Sequence, residues 1–224
     1  MRSINGVQVF DTLSELVDPA HTALLVVDVQ NNFCHSDGHF GRHKKDLTTI
    51  RAMLPRLIAF VGEAQSLGVR TFFIHQTTLS GGRSDSPAWL RFKCRDGKSP
   101  DYALEGSWGW ALVDGLRARD VDWVVPKFRP DSFVNTALDQ LLRAQRIESV
   151  VILGTITEGC VESTVRGASY HDYYVTVVSD LVASPNPVQH EGAMRLFQAR
   201  YPLASSEEIM AVWRKAGRQA AAGQ

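Results

Sequence analysis

The sequence predicts an α/β fold, a three-layer αβα arrangement with a Rossmann-like, mostly parallel sheet. Short, uninterrupted apolar runs recur along the chain, as at Leu24, Leu25, Val26 and Val27. Such runs suit strands covered on both faces. Between them lie segments whose apolar side chains repeat at helical spacing. The two kinds alternate, which makes successive strands parallel and gives the sheet helices on both sides.

In chain order, the run at 21–28 is the first strand and ends in the acid Asp28. Ile50, Met53, Leu54, Leu57, Ile58 and Val61 give a helix over 47–67, which either begins near Pro55 or bends there. Gly68 closes it, and 69–74 form the second strand. Residues 76–107 are too long and too aromatic for an inert connector, so they read as a folded excursion walling a pocket. A short helix follows over 109–118, then a strand at 121–125 that leads directly into Pro126 and Lys127. The pattern Val134, Ala137, Leu138, Leu141, Leu142 predicts a helix, with Thr136 and Asp139 as a capping box. The fourth strand, 149–153, enters the turn Gly154-Thr155-Ile156-Thr157-Glu158-Gly159-Cys160, and a helix with Val161, Val165 and Ala168 on one face starts there. A strand at 174–178, a helix at 188–200, a short strand or helix near 206–213 and a polar, Ala-rich end complete the chain.

The 224 residues are expected to form a single domain, 1–224, because no linker, charge block or repeat divides them. With 24 basic and 24 acidic residues, the formal net charge is zero, which removes the bulk electrostatic case for a nucleic-acid or anionic-membrane partner. No apolar run approaches the roughly 20 residues that span a bilayer, and the amino terminus lacks a signal-like apolar stretch. A cytoplasmic protein is the expectation. The three cysteines, Cys34, Cys94 and Cys160, match no zinc-site spacing, and no cofactor or metal is expected.

The functional signal is positional. Asp28, Lys127 and Cys160 each lie at or just beyond the carboxyl end of a predicted strand. In an open parallel sheet those ends share one edge, where ligands bind. Cys160 stands at a predicted helix start, where free N–H groups favour a thiolate and can hold a developing oxyanion. Lys127 adds positive charge, and Asp28 is placed to take the thiol proton.

Three blocks, LLVVDVQNNFC at 24–34, VVPKFRPDSFVNTALDQLLRAQRI at 124–147 and VILGTITEGCVESTVRGASYHDYYVTVVSDLVAS at 151–184, give the chain a resemblance to the isochorismatase-like cysteine hydrolases. The resemblance covers about residues 20–200 and implies the family's Asp-Lys-Cys triad at Asp28, Lys127 and Cys160. It also implies a cis peptide at Thr155–Ile156, with the Ile156 and Cys160 N–H groups as the oxyanion hole. The activity implied is metal-independent hydrolysis of a C–N bond in a small amide, carbamoyl or ureido compound, through a covalent acyl-enzyme. True isochorismatases lack the nucleophilic cysteine, so Cys160 argues against vinyl-ether hydrolysis. The alternatives are a nicotinamidase-type amidase or a non-catalytic small-molecule-binding member. Many nicotinamidases hold a metal through an Asp and histidines after the second strand, a pattern that His75-Gln76-Thr77-Thr78 does not supply. The segment SDSPAW at 84–89 is similar to the loop of ureidoacrylate-type enzymes.

Phe33, Trp89, Trp108 and Phe133 are expected pocket walls, and Gln30 and Asn32 are placed to orient Asp28 or an amide. Arg83, Arg91 and Arg129 are candidate readers of a substrate carboxylate. His35, His75 and His171 are read as local or surface residues. Family resemblance, together with the aromatic excursion and the apolar residues of 194–210, predicts a homo-oligomer, a dimer or tetramer.

Overall fold

A computed structural model describes residues 1–95, 97 and 99–222, and the last residues of the Ala-rich end lie outside that range. A small antiparallel hairpin opens the chain, β1 (Arg2–Ile4) and β2 (Val7–Val9). Asn5 (φ 50°) and Gly6 (φ 82°) make its turn, since both tolerate the left-handed backbone that a two-residue hairpin demands. After α1 (Leu13–Leu16), the fully buried strand β3 (Thr22–Val27) begins the main sheet. Two single-turn helices, α2 (Asn31–Cys34) and α3 (His39–Arg42), lead to α4 (Thr48–Ser66). Pro55 lies inside α4 rather than at its start.

Strand β4 (Arg70–Gln76) is followed by the excursion, which folds as a tight turn at Ser80–Gly82 and a helix, α5 (Pro87–Lys93). Ser86 caps α5 by accepting from Trp89 N, and Pro87 occupies the first turn, where its missing N–H costs nothing. The remaining elements are β5 (Trp123–Lys127), α6 (Leu138–Ala144), β6 (Ser149–Thr155), a π-helical turn (Thr157–Val161), α7 (Glu162–Tyr170), β7 (Tyr174–Ala183), α8 (Pro187–Arg200), β8 (Leu203–Ala204) and α9 (Ser206–Ala222).

Six strands form one parallel sheet in the order β5-β4-β3-β6-β7-β8. Alternation along the strands divides the core. Leu24, Val26, Phe73, Val151 and Leu153 pack with Ile50, Met53 and Leu57 of α4 and with Trp213 of α9. Leu25, Val27, Phe72, Ile74 and Ile152 pack against Leu138 of α6, Val165 of α7 and Phe197 of α8. The three layers expected from the sequence are therefore present. Trp213, wholly buried, satisfies its indole N–H by donating to Val17 O at 2.7 Å.

Several elements differ from expectation. The helix expected over 109–118 is irregular, because its backbone is committed elsewhere: Asn31 N and Asn32 N donate to Ala111 O and Gly109 O, both at 3.0 Å. Gly115 (φ 91°) further breaks any helical run. The third strand lies two residues later than expected, so Lys127 is its last residue, and Pro126 is tolerated because β5 is a sheet edge. No capping box forms at α6. Thr136 accepts from Leu138 N, whereas Asp139 holds Arg143 and the Tyr173 hydroxyl. The tail forms a helix of 17 residues.

Candidate active site

The carboxyl ends of β3, β4, β5 and β6 meet at one edge. Asp28 follows β3, and its N–H continues the ladder to Ile74 O at 3.0 Å. Its φ is 51°, in the left-handed region that Asp enters more readily than most residues. The turn is held from the next strand, where Thr155 Oγ1 donates to Asp28 O at 2.8 Å. Gly154 (φ 125°) allows the approach, since a Cβ there would meet Val27 O at 2.1 Å.

The Asp28 carboxylate is buried and engaged through both oxygens. Gln76 N donates to Oδ1 at 2.8 Å, and Lys127 Nζ donates to Oδ2 at 2.8 Å. Lys127 is wholly buried. Its ammonium also donates to Gln76 Oε1 at 3.0 Å and Arg129 O at 3.3 Å, matching three donors to three acceptors. Burial, the largest single influence on Lys127, pulls its pKa down. Asp28 and Cys160, through charge and hydrogen bonding, together outweigh burial and hold it above the usual lysine value. A buried ion pair of this kind is secure only while both members are present.

Cys160 is half-buried and sits in the π-helical turn, not at the first position of α7. Such turns are uncommon and recur at functional sites. Ile156 O accepts from Gly159 N at 3.0 Å and from Val161 N at 3.2 Å, bypassing the Cys160 N–H between them. The Thr155–Ile156 peptide is cis. Burial first, and the Asp28 charge second, push the Cys160 thiol up to about 12, with Lys127 opposing them. Desolvation and the neighbouring carboxylate thus oppose the thiolate that Lys127 and the helix start favour.

Asp28, Gln76 and Cys160 line a cavity of about 270 Å³, a volume suited to a small molecule. Phe33 and Trp89 line it too, with Tyr102 and Phe92 from the excursion. Arg129 does not reach the lining; its guanidinium bonds Ser84 O at 3.1 Å and lies over the Trp89 ring at 5.0 Å.

Other expected contacts lie elsewhere. Trp108 is exposed on a different surface depression, edge-on to His35 at 5.1 Å. Arg83 is exposed and donates to Ser80 O, and Arg91 is also exposed. Phe133 is core, stacked on His171 at 4.8 Å. Gln30 is buried and holds loops, donating to Gln76 O at 3.1 Å and Trp110 O at 2.7 Å. Asn32 Oδ1 accepts from His39 N at 3.0 Å.

His75 is buried edge-on to Trp110, and burial lowers its pKa to about 4, so it is neutral at neutral pH. Among the described residues, no group of three or more His, Cys, Asp or Glu side chains is arranged to hold a metal ion. Sequence reasoning missed Gln76 and Glu158. Gln76 ends β4 at the same edge, so the positional rule that picked out Asp28 applied to it as well.

Comparisons with known proteins agree with this architecture. Residues 22–208 match the family model described as Isochorismatase domain. A ureidoacrylate amidohydrolase of Methylorubrum extorquens is 32% identical over 190 residues, 80% of this chain and 76% of that protein. A cysteine hydrolase from Pseudomonas syringae superposes with a TM-score of 0.75 at 21% identity, covering 88% of this chain and 94% of its own. The N-carbamoylsarcosine amidase of Thermoplasma acidophilum gives 0.63 at 25% identity, covering 83% and 96%. With the family model spanning most of its length and that relative aligned over four-fifths of it, the chain belongs to the isochorismatase domain family.

Proposed function

We propose that this protein is a metal-independent cysteine amidohydrolase that cleaves a C–N bond of a small amide, carbamoyl or ureido compound. The observation that carries this is that Cys160 and Asp28 line one small cavity, with the buried Lys127 ammonium held on the Asp28 carboxylate. Kinship with a ureidoacrylate amidohydrolase puts ureido substrates first.

Cys160 Sγ attacks the carbonyl carbon while its proton passes to Asp28, so no free thiolate has to accumulate beforehand. Lys127 offsets the negative charge in the buried site during the transfer. The N–H groups of Ile156 and Cys160 receive the developing oxyanion. Asp28 then gives the proton to the departing nitrogen, the C–N bond breaks, and the acyl group remains on sulfur. Water, deprotonated by Asp28, releases the acid and restores the thiol.

An ammonia-release panel of ureidoacrylate, N-carbamoyl amino acids, biuret, triuret, maleamate and nicotinamide tests the assignment. Turnover is expected with at least one ureido or carbamoyl member, and a wholly inert panel would count against it. Activity should survive dialysis against a strong chelator, because the described donors do not cluster. A loss restored by zinc, iron or manganese would show the metal-independent scheme to be wrong.

The active form is proposed to be a homodimer or homotetramer. Light scattering at assay concentration should give a multiple of 24.8 kDa. A monomer mass with undiminished specific activity on dilution would remove that part of the proposal.

A further inference from the structure

Gln76 touches both members of the buried ion pair, yet the acid–base scheme gives it no task. It ends β4 directly across from Lys127, its register partner on β5, and Thr77 N donates to Lys127 O at 2.8 Å just beyond. Register partners present their side chains on the same face of a sheet, so the Gln76 amide meets the Lys127 ammonium. The main-chain N–H of Gln76 donates to Asp28 Oδ1 at 2.8 Å, and its Oε1 accepts from Lys127 Nζ at 3.0 Å. An ammonium has only donors, so the amide oxygen faces it, and the amide nitrogen turns to Thr77 O at 3.4 Å. Gln30 Nε2 fixes this strand end by donating to Gln76 O at 3.1 Å. Gln76, Asp28 and Lys127 are all buried, and Cys160 acts on the same ammonium through charge and hydrogen bonding.

We propose that Gln76 is a positioning residue, a neutral acceptor that holds the Lys127 ammonium in place while Asp28 carries the thiol proton. At rest the Asp28 carboxylate attracts Lys127 across 2.8 Å. When the proton passes from Cys160 Sγ to Asp28, that carboxyl becomes neutral, and the negative charge moves to the sulfur and then to the substrate oxygen. The attraction that held the ammonium is lost at the moment its charge is needed beside Cys160. Two acceptors remain that neither gain nor lose a proton, Gln76 Oε1 at 3.0 Å and Arg129 O at 3.3 Å. Gln76 is the closer, and its own N–H also keeps Asp28 from turning away. The acceptor has to be neutral. A carboxylate of the same reach would hold Lys127 too, but it would set a second negative charge beside the thiol and oppose its ionisation. Gln76 exchanges no proton: the thiol proton goes to Asp28 and from there to the departing nitrogen.

The proposal rests on the amidohydrolase reading above, and two readouts separate them. Alkylation of Cys160 by iodoacetamide across pH needs no turnover, whereas kcat and KM are taken on the ureido or carbamoyl substrate that wild type turns over fastest. Gln76→Glu keeps the reach and the bond to Lys127. It should move the alkylation midpoint up by about one pH unit or more, slowing alkylation near pH 8 about tenfold, and lower kcat about tenfold or more. Gln76→Met removes the acceptor without adding charge. It should also lower kcat about tenfold or more, with KM changed less than about threefold, and move the alkylation midpoint less than Gln76→Glu does. Both variants are checked to be folded by thermal melting. If Gln76→Met does not fold, Gln76→Glu, which still bonds Lys127, decides through its midpoint. An unmoved midpoint in folded Gln76→Glu, an equal shift in Gln76→Met, or a loss in Gln76→Met confined to KM would overturn the positioning role while leaving amide hydrolysis standing. Wild-type enzyme inert toward every ureide and amide would instead remove the reading on which it rests.

Discussion

Asp28→Asn is expected to move two readouts in opposite directions. Hydrolysis should fall on the order of 10³-fold or more, because the group that takes the thiol proton and returns it to the leaving nitrogen is gone. Alkylation of Cys160 by iodoacetamide near pH 8 should become faster, by about an order of magnitude for each unit by which the thiol pKa falls. The sign follows from the forces on the thiol. After burial, the Asp28 charge is the next largest influence holding it near 12, whereas Lys127 pulls the other way. Neutralising Asp28 leaves Lys127 without that opponent, so thiolate is easier to form. Asn accepts the left-handed backbone at φ 51°, but its single amide oxygen cannot serve both Gln76 N and Lys127 Nζ, so the variant should also lose stability and both readouts are taken on protein checked to be folded. A strut would lose both readouts together as the site loosened. Alkylation that is slower or unchanged in Asp28→Asn would show that Asp28 does not govern the thiol.

Much of this organisation is legible in the residues themselves. The run from Leu24 to Val27 has to be covered on both faces, and it proves fully buried. That logic fixes the parallel sheet, and the sheet brings Asp28 and Lys127, 99 residues apart, to a 2.8 Å contact. Where local pattern competes with long-range hydrogen bonding, the pattern misleads. Residues 109–118 read as helix, yet they serve as acceptors for Asn31 and Asn32, and no periodicity reports that. The amino-terminal hairpin carried a signal in Asn5-Gly6 between Ile4 and Val7, but its strands bury almost nothing that would draw attention to them.

The electrostatics of the site were least accessible. A cysteine near a lysine and a helix start suggests a thiolate. Burial and the nearness of Asp28 push the thiol the other way, and neither is visible in the sequence. Likewise, an aromatic residue flanking a motif can face the cavity, as Phe33 does, or the core, as Phe133 does, and side-chain direction is set by packing that spacing does not encode. Glu158 carried no sequence signal as a cavity-lining residue, because its tether to Ser184 spans 26 positions.

Cys160→Ala should fold with a stability change within about 2 kcal/mol, since it removes one sulfur from a half-buried position and leaves the Asp28–Lys127 pair intact. Hydrolysis should nevertheless fall on the order of 10⁴-fold or more, because no remaining group at the cavity can form the acyl intermediate. Asp28 could at best activate a water from a geometry built for sulfur. The decisive measurement is steady-state ammonia release by purified, folded Cys160→Ala beside wild type, on whichever ureido or carbamoyl substrate wild type turns over fastest. Covalent catalysis by Cys160 predicts release indistinguishable from the enzyme-free rate. Sustained product formation by Cys160→Ala at a substantial fraction of the wild-type rate would contradict it.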